Sequence, residues 1–179
     1  MSAIRPAVPE DLPELLEIYR PYVEHTAVSF EYTPPTPEAF RLRFLEHTAQ
    51  FPWLVWEEDG RILGYAYAGA PWERAAYRWC AESSVYLRED CRGRGIGRAL
   101  YAALEALLQK QGYRVLYAVI TSDNAPSLAF HKALGYIPRA YFPDCGYKFG
   151  RWYGVSWLEK RLNAPGAPEA FPPAWKEEL

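Results

Sequence analysis

"CRGRGIGRALYAAL", residues 91–104, alternates arginine with glycine and then turns into an amphipathic run. Ile96, Leu100, Leu104, Leu107 and Leu108 recur at helical spacing and predict one helix that ends near Gly112. The first N–H groups of a helix have no intrahelical partner, and the macrodipole adds about half a positive charge at that end. Gly93, Gly95 and Gly97 let those amides approach an anion, while Arg92, Arg94 and Arg98 can add charge-assisted bonds. The segment therefore predicts a seat for a pyrophosphate-bearing ligand. A dinucleotide fingerprint would need a third glycine where Arg98 or Leu100 stands, and a P-loop would need a Gly-Lys-Ser/Thr ending that is missing. A flexible glycine loop with solvated arginines is the competing reading. The position between a strand and a well-striped helix favours binding.

Upstream, "AESSVYL" (81–87) reads as the strand that feeds this turn, and "PWERAAYRWC" (71–80) as an irregular loop or short helix. Two aromatic-rich runs in "WLVWEEDGRILGYAYAG" (53–69) flank Asp59-Gly60, the dipeptide that a tight primed hairpin turn prefers. "TAVSFEYTPPTPEAF" (26–40) is a loop on account of Pro34, Pro35 and Pro37, with Thr36 capping a helix over 37–48. Leu12, Leu15, Leu16 and Tyr19 predict an earlier helix in which Asp11 and Glu14 form a capping box, and "AIRPAV" (3–8) predicts a first strand. Downstream, "VLYAVI" (115–120) is a buried strand, and Asp123 or Asn124 caps a helix that runs to Leu134-Gly135. "YIPRAYF" (136–142) and "RWYGVSWLEKRL" (151–162) read as the last strands. The expected fold is mixed α/β: a mostly antiparallel sheet with helices on both faces. One domain over 1–162 is followed by a Pro/Ala-rich tail, 163–179, poorly ordered or packed on the surface.

Composition narrows the class. With 179 residues, half of them hydrophobic, the chain can bury a core without staples. A net charge of −2 argues against a general nucleic-acid binder. Cys80, Cys91 and Cys145 are isolated and odd in number, which suggests a reducing, cytoplasmic setting with neither disulfides nor a metal site. No apolar run reaches membrane-spanning length.

On these residues the chain resembles the GNAT superfamily of N-acetyltransferases. Arg92, Gly95 and Gly97 match its Arg/Gln-x-x-Gly-x-Gly/Ala signature, and "NAPSLAFHKALGY" (124–136) resembles its second element, in the expected order. "GAPWERAAYRWCAESSVYL", "NAPSLAFHKALGY" and "GYKFGRW" are similar to the branch acting on phosphinothricin, methionine sulfone and methionine sulfoximine, across about residues 3–162.

The resemblance implies acetyl-CoA as co-substrate, a small amino-acid-like amine as acceptor, and a homodimer. It implies that Arg92, Gly93, Arg94, Gly95, Ile96, Gly97 and Arg98 hold the pyrophosphate. It further implies that Val85, Tyr86 and Leu87 run beside the pantetheine arm, with a backbone N–H on the thioester carbonyl, and that Asn124 bonds the pantetheine end. Glu82, a carboxylate on a strand of small and apolar residues, is costly unless used or paired. The resemblance makes it a general base; a salt bridge to Arg74 or Arg78 is the alternative. His131 borders the buried face of its helix at a position where many relatives carry a Tyr that protonates the leaving thiolate, and its ordinary pKa suits either acid or base work. Phe30, Trp72, Arg74 and Tyr77 correspond to the acceptor pocket, although packing at a subunit contact would explain Trp72 and Tyr77 as well. A peptide N-terminus as acceptor, and an acyl-CoA-binding module without turnover, are the competing functions.

Overall fold

The computed structural model describes residues 2–164 and 166–176. Seven strands form one sheet: β1 (Ser2–Pro6), β2 (Trp53–Glu58), β3 (Arg61–Gly69), β4 (Cys80–Leu87), β5 (Val115–Thr121), β6 (Ile137–Lys148) and β7 (Arg151–Arg161). Their order is β1-β2-β3-β4-β5-β7-β6. Every neighbouring pair is antiparallel except β4 and β5. Helices α1 (Leu12–His25) and α2 (Pro37–Thr48) cover one face, and α3 (Ile96–Lys110) and α4 (Ala125–Ala133) the other.

The alternation of β4 sets the two cores. Ala81, Val85 and Leu87 belong to the core under α3, with Leu100, Leu104 and Leu108. Tyr86 turns the other way, against Tyr19, Tyr22 and Tyr65 in the aromatic core under α1 and α2. Asp59 (φ 50°) and Gly60 (φ 77°) form the expected primed turn between β2 and β3.

Two expectations change. Asp11 and Glu14 do not form a capping box: Asp11 accepts two bonds from Arg5, at 2.7 and 2.9 Å, and one from Val8 N–H, while Glu14 accepts from Ile62 N–H and Arg88. Charged long-range partners outcompete the local cap. Strand β6 extends six residues past Phe142, through Pro143, with its register interrupted between Phe142 and Gly146. At a sheet edge a proline forfeits no ladder bond, and a bulge absorbs the mismatch. The described part of the tail, 163–164 and 166–176, packs on the surface, and residues 165 and 177–179 lie outside the described residues. Phe171 stacks on Trp79 at 4.7 Å, and Gln50 Nε2 donates to the carbonyls of Pro172 and Pro173.

Candidate active site

Strands β4 and β5 run side by side only from Cys80–Val115 to Glu82–Tyr117, and then part. Ser83 marks the fork, its hydroxyl donating to the carbonyl of Tyr117 at 3.2 Å. Beyond it the β5-facing edge of β4 carries backbone groups with no ladder partner. At Leu87, Tyr22 Oη takes over: it donates to the Leu87 carbonyl at 2.6 Å and accepts from its N–H at 3.2 Å. Since backbone groups alternate sides along a strand, the N–H and C=O of Val85 point the same way, into the gap. Unpaired backbone in such a place needs a partner, and a ligand with amide groups could supply one.

The gap opens into a cleft of about 680 Å³, within the roughly 300–1,000 Å³ range of small-molecule sites. Val85, Leu87, Arg92, Gly93, Gly97 and Asn124 all line it. Gly93 (φ 79°) and Gly95 (φ 82°) hold the left-handed conformation that turns the chain into α3, with Gly95 at the N-cap. A Cβ on Gly97 would rest at ordinary contact distance from Phe130 and Leu87, so this glycine keeps the cleft floor low rather than preventing a clash. Asn124, not Asp123, caps α4: its side-chain oxygen accepts from Ser127 N–H at 3.2 Å. The structure does not bring all the predicted residues into the cleft. The Arg94 guanidinium donates to both carboxylate oxygens of Glu58, at 2.8 and 2.9 Å. Ile96 is buried in the core, and Arg98 is exposed on the first turn of α3.

Behind the fork lies a cavity of about 60 Å³ lined by Ser83, Val85, Tyr101, Asn124, Ser127 and His131 among others. His131 is buried. Its Nδ1 lies 2.8 Å from the Ser127 carbonyl, and its Nε2 lies 2.8 Å from Tyr101 Oη. A carbonyl oxygen can only accept, so Nδ1 carries the proton. Burial lowers the His131 pKa, and the Ser127 carbonyl opposes that shift. Sequence reasoning missed Tyr101 and Ser83. The one available signal was a phenol on the apolar side of α3, since a buried hydroxyl needs a partner.

Glu82 occupies the opposite side of the fork. Among the described residues its carboxylate has no hydrogen bond or ion pair, and desolvation raises its pKa. The salt-bridge alternative is not realised: Arg78 lies over the Phe171 ring at 5.0 Å, and Arg74 is exposed at the start of a short 3-10 turn. On the same face Trp72 stacks on Trp157 at 5.4 Å and meets Tyr77 and Tyr117 at 4.8 and 5.4 Å. Tyr117 is the register partner of Glu82, so this aromatic wall stands beside the acid. Phe30 packs on the bare backbone of Gly146, where a Cβ would lie 2.2 Å from its ring.

Lys148, also missed, is buried and donates from Nζ to the carbonyls of Val23, Thr26 and Ser29 at 2.7, 2.8 and 2.7 Å. It pins the end of α1 and the following loop, whose Val28 borders both the cleft and the small cavity. Among the described residues no cluster of three His, Cys, Asp or Glu could hold a metal, and no helix is long and apolar enough to cross a membrane.

The acetyltransferase (GNAT) domain family matches residues 4–157. Phosphinothricin N-acetyltransferase of Streptomyces viridochromogenes is 36% identical over 171 residues, covering 95% of this chain and 93% of that protein. The L-methionine sulfoximine/L-methionine sulfone acetyltransferase of Pseudomonas aeruginosa is 36% identical over 167 residues, covering 90% and 95%. A phosphinothricin acetyltransferase of Sinorhizobium meliloti, solved in complex with AcCoA, superposes with a TM-score of 0.91 at 35% identity, covering 97% and 96%.

Proposed function

The chain belongs to the GNAT acetyltransferase family and is an acetyl-CoA-dependent N-acetyltransferase; on that premise we propose that it acetylates the amine of a small amino-acid-like acceptor of the phosphinothricin, methionine sulfone or methionine sulfoximine type. The observation that carries the reading is the fork: an unpaired β4 backbone with an unpartnered carboxylate on one side and a hydroxyl–imidazole pair on the other. The names of the relatives support the substrate class.

The residues divide the work. The amides of residues 93–97, with Arg92 from the cleft wall, receive the pyrophosphate, and Arg98, exposed on the first turn of α3, adds its charge from outside the cleft. Arg94 contributes its backbone N–H, since its side chain is committed to Glu58. Val85 N–H donates to the thioester carbonyl oxygen, where negative charge develops during attack. Glu82 takes the proton from the incoming ammonium, whose pKa is about 8 for a free α-amine. The raised pKa of Glu82 brings it closer to that of its partner and so helps the exchange. Trp72 and Tyr77 wall the acceptor, Arg74 meets its carboxylate, and Phe30 closes the far side. Attack on the thioester is direct.

Thiol release from acetyl-CoA with a panel of free amino acids, methionine sulfone, methionine sulfoximine and phosphinothricin tests the substrate class. Turnover on at least one is expected; silence on all, with acetylation of peptide N-termini seen by mass spectrometry, would hand the site to peptides. The three free thiols support a reducing, cytoplasmic setting. The outer edge of the sheet supports a homodimer: Tyr141, Phe142, Tyr147 and Trp152 are all exposed around β6.

A further inference from the structure

We propose that the Tyr101 hydroxyl is the group that exchanges a proton with the reacting atoms, and that His131 acts only through it. The inference rests on the acetyl-transfer reading above and goes beyond it: the resemblance points to His131 as acid or base, but neither ring nitrogen of His131 is open to a substrate. Nδ1 is held by the Ser127 carbonyl and Nε2 by Tyr101 Oη, each at 2.8 Å. The ring edges meet Phe130 and Tyr136 as well, at 5.2 and 5.1 Å between centroids. Tyr101 Oη stands between the imidazole and Ser83, the residue at the fork, at 3.1 Å. The Ser83 proton is already directed at the Tyr117 carbonyl. The single proton of Tyr101 thus has two acceptors in reach, Ser83 Oγ at 3.1 Å and Nε2 at 2.8 Å; the relay uses the shorter bond to the more basic atom, and Tyr101 itself lines the small cavity.

The proton count closes without any further reactant. The neutral amine forms a C–N bond to the thioester carbon, and its nitrogen then carries one proton too many. That proton passes to Tyr101 Oη as the phenol proton passes to Nε2, giving a transient imidazolium. The C–S bond breaks with its electron pair going to sulfur. Tyr101 then gives a proton to sulfur and recovers one from Nε2. One proton has moved from nitrogen to sulfur, and both side chains return to their starting state. The neutral resting ring that burial favours is the form this exchange requires. Burial also raises the Tyr101 pKa, so free phenolate is avoided and transfer in both directions must be coupled.

Tyr101→Phe tests the idea with His131 intact. The expected loss in kcat is about 10²-fold, the lower range for acid–base groups, with KM for acetyl-CoA and acceptor unchanged. Adding His131→Ala to that variant should cost no more than about threefold further, because residues that act as a unit are non-additive. In the free protein, ¹⁵N shifts of labelled histidine should put the His131 proton on Nδ1, with an Nε2 hydrogen bond that disappears in Tyr101→Phe. If Phe at this position unfolds the chain, 3-fluorotyrosine keeps the shape, and kcat should still change. A silent His131→Ala sinks the role of His131 and the relay with it. A crippled His131→Ala beside a fully active Tyr101→Phe, or a proton found on Nε2, sinks the relay alone.

Discussion

Glu82 is half-buried and His131 buried, and desolvation moves the two in opposite directions. The Glu82 pKa is raised by desolvation, so stability is full below the ordinary carboxylate value and is lost as the pH rises through the folded one. Glu82→Gln should therefore melt higher than the parent at pH 8, with the gap closing near pH 4, where the acid is protonated in both states. The same variant should lose about 10²-fold in kcat; a drop in melting temperature at pH 8 would contradict the unpartnered carboxylate. His131 has a lowered pKa, so the unfolded chain takes up the proton first. Its contribution to stability is present above about pH 6.5, the ordinary histidine value, and is lost as the pH falls toward the folded one. Melting curves between pH 7 and 5 should fall less steeply for His131→Gln than for the parent. Lys148 makes its case through hydrogen bonds: Lys148→Met leaves three carbonyls without their donor, and about 3 kcal/mol of stability should go with it in urea titrations.

The turn into α3 is the element on which the proposed cofactor binding depends, and its conformation was legible in the sequence because it is local. Gly95→Ala would force a side chain into the left-handed region at φ 82°, costing about 1–2 kcal/mol of stability. Arg92→Ala should weaken acetyl-CoA binding about tenfold by calorimetry through the loss of a charge-assisted contact, whereas Arg94→Ala, whose side chain faces Glu58, should leave it within about twofold. The β2–β3 hairpin, the stripe of α3 and the cap of α4 were equally legible, since each is written within a few residues. What the sequence hid are contacts between distant residues. Tyr101 and His131 are thirty positions apart, and Lys148 reaches carbonyls more than a hundred positions away. The course of β6 through Pro143 was hidden because a proline signals a strand's end unless its edge position is known. Arg94 looked like its neighbours Arg92 and Arg98 until Glu58 was seen beside it.

Among the described residues the sheet parts at the β4–β5 fork, and the proposed function is built on that discontinuity. Helices α1 and α2 cover β2, β3 and part of β4, and leave the Glu82–Tyr117–Trp157 face to the loop of residues 70–79. The tail braces that loop: Trp79 Nε1 donates to the Ala170 carbonyl at 3.2 Å, and Phe171 stacks on the Trp79 ring. Ending the chain after Leu162 should lower stability by about 1–2 kcal/mol, the worth of a half-buried aromatic. It should also raise KM for the acceptor more than KM for acetyl-CoA, and an equal rise in both would separate the tail from the acceptor loop.

The central claim is that the gap between β4 and β5 receives the acyl arm of the co-substrate and sets its thioester between Glu82 and Tyr101. A crystal structure of the acetyl-CoA complex measures this directly. The account predicts the pyrophosphate on the amides of residues 93–97 and the thioester oxygen within hydrogen-bond reach of Val85 N–H; an acyl arm lying outside the fork, with Val85 N–H bonded to water, would contradict it.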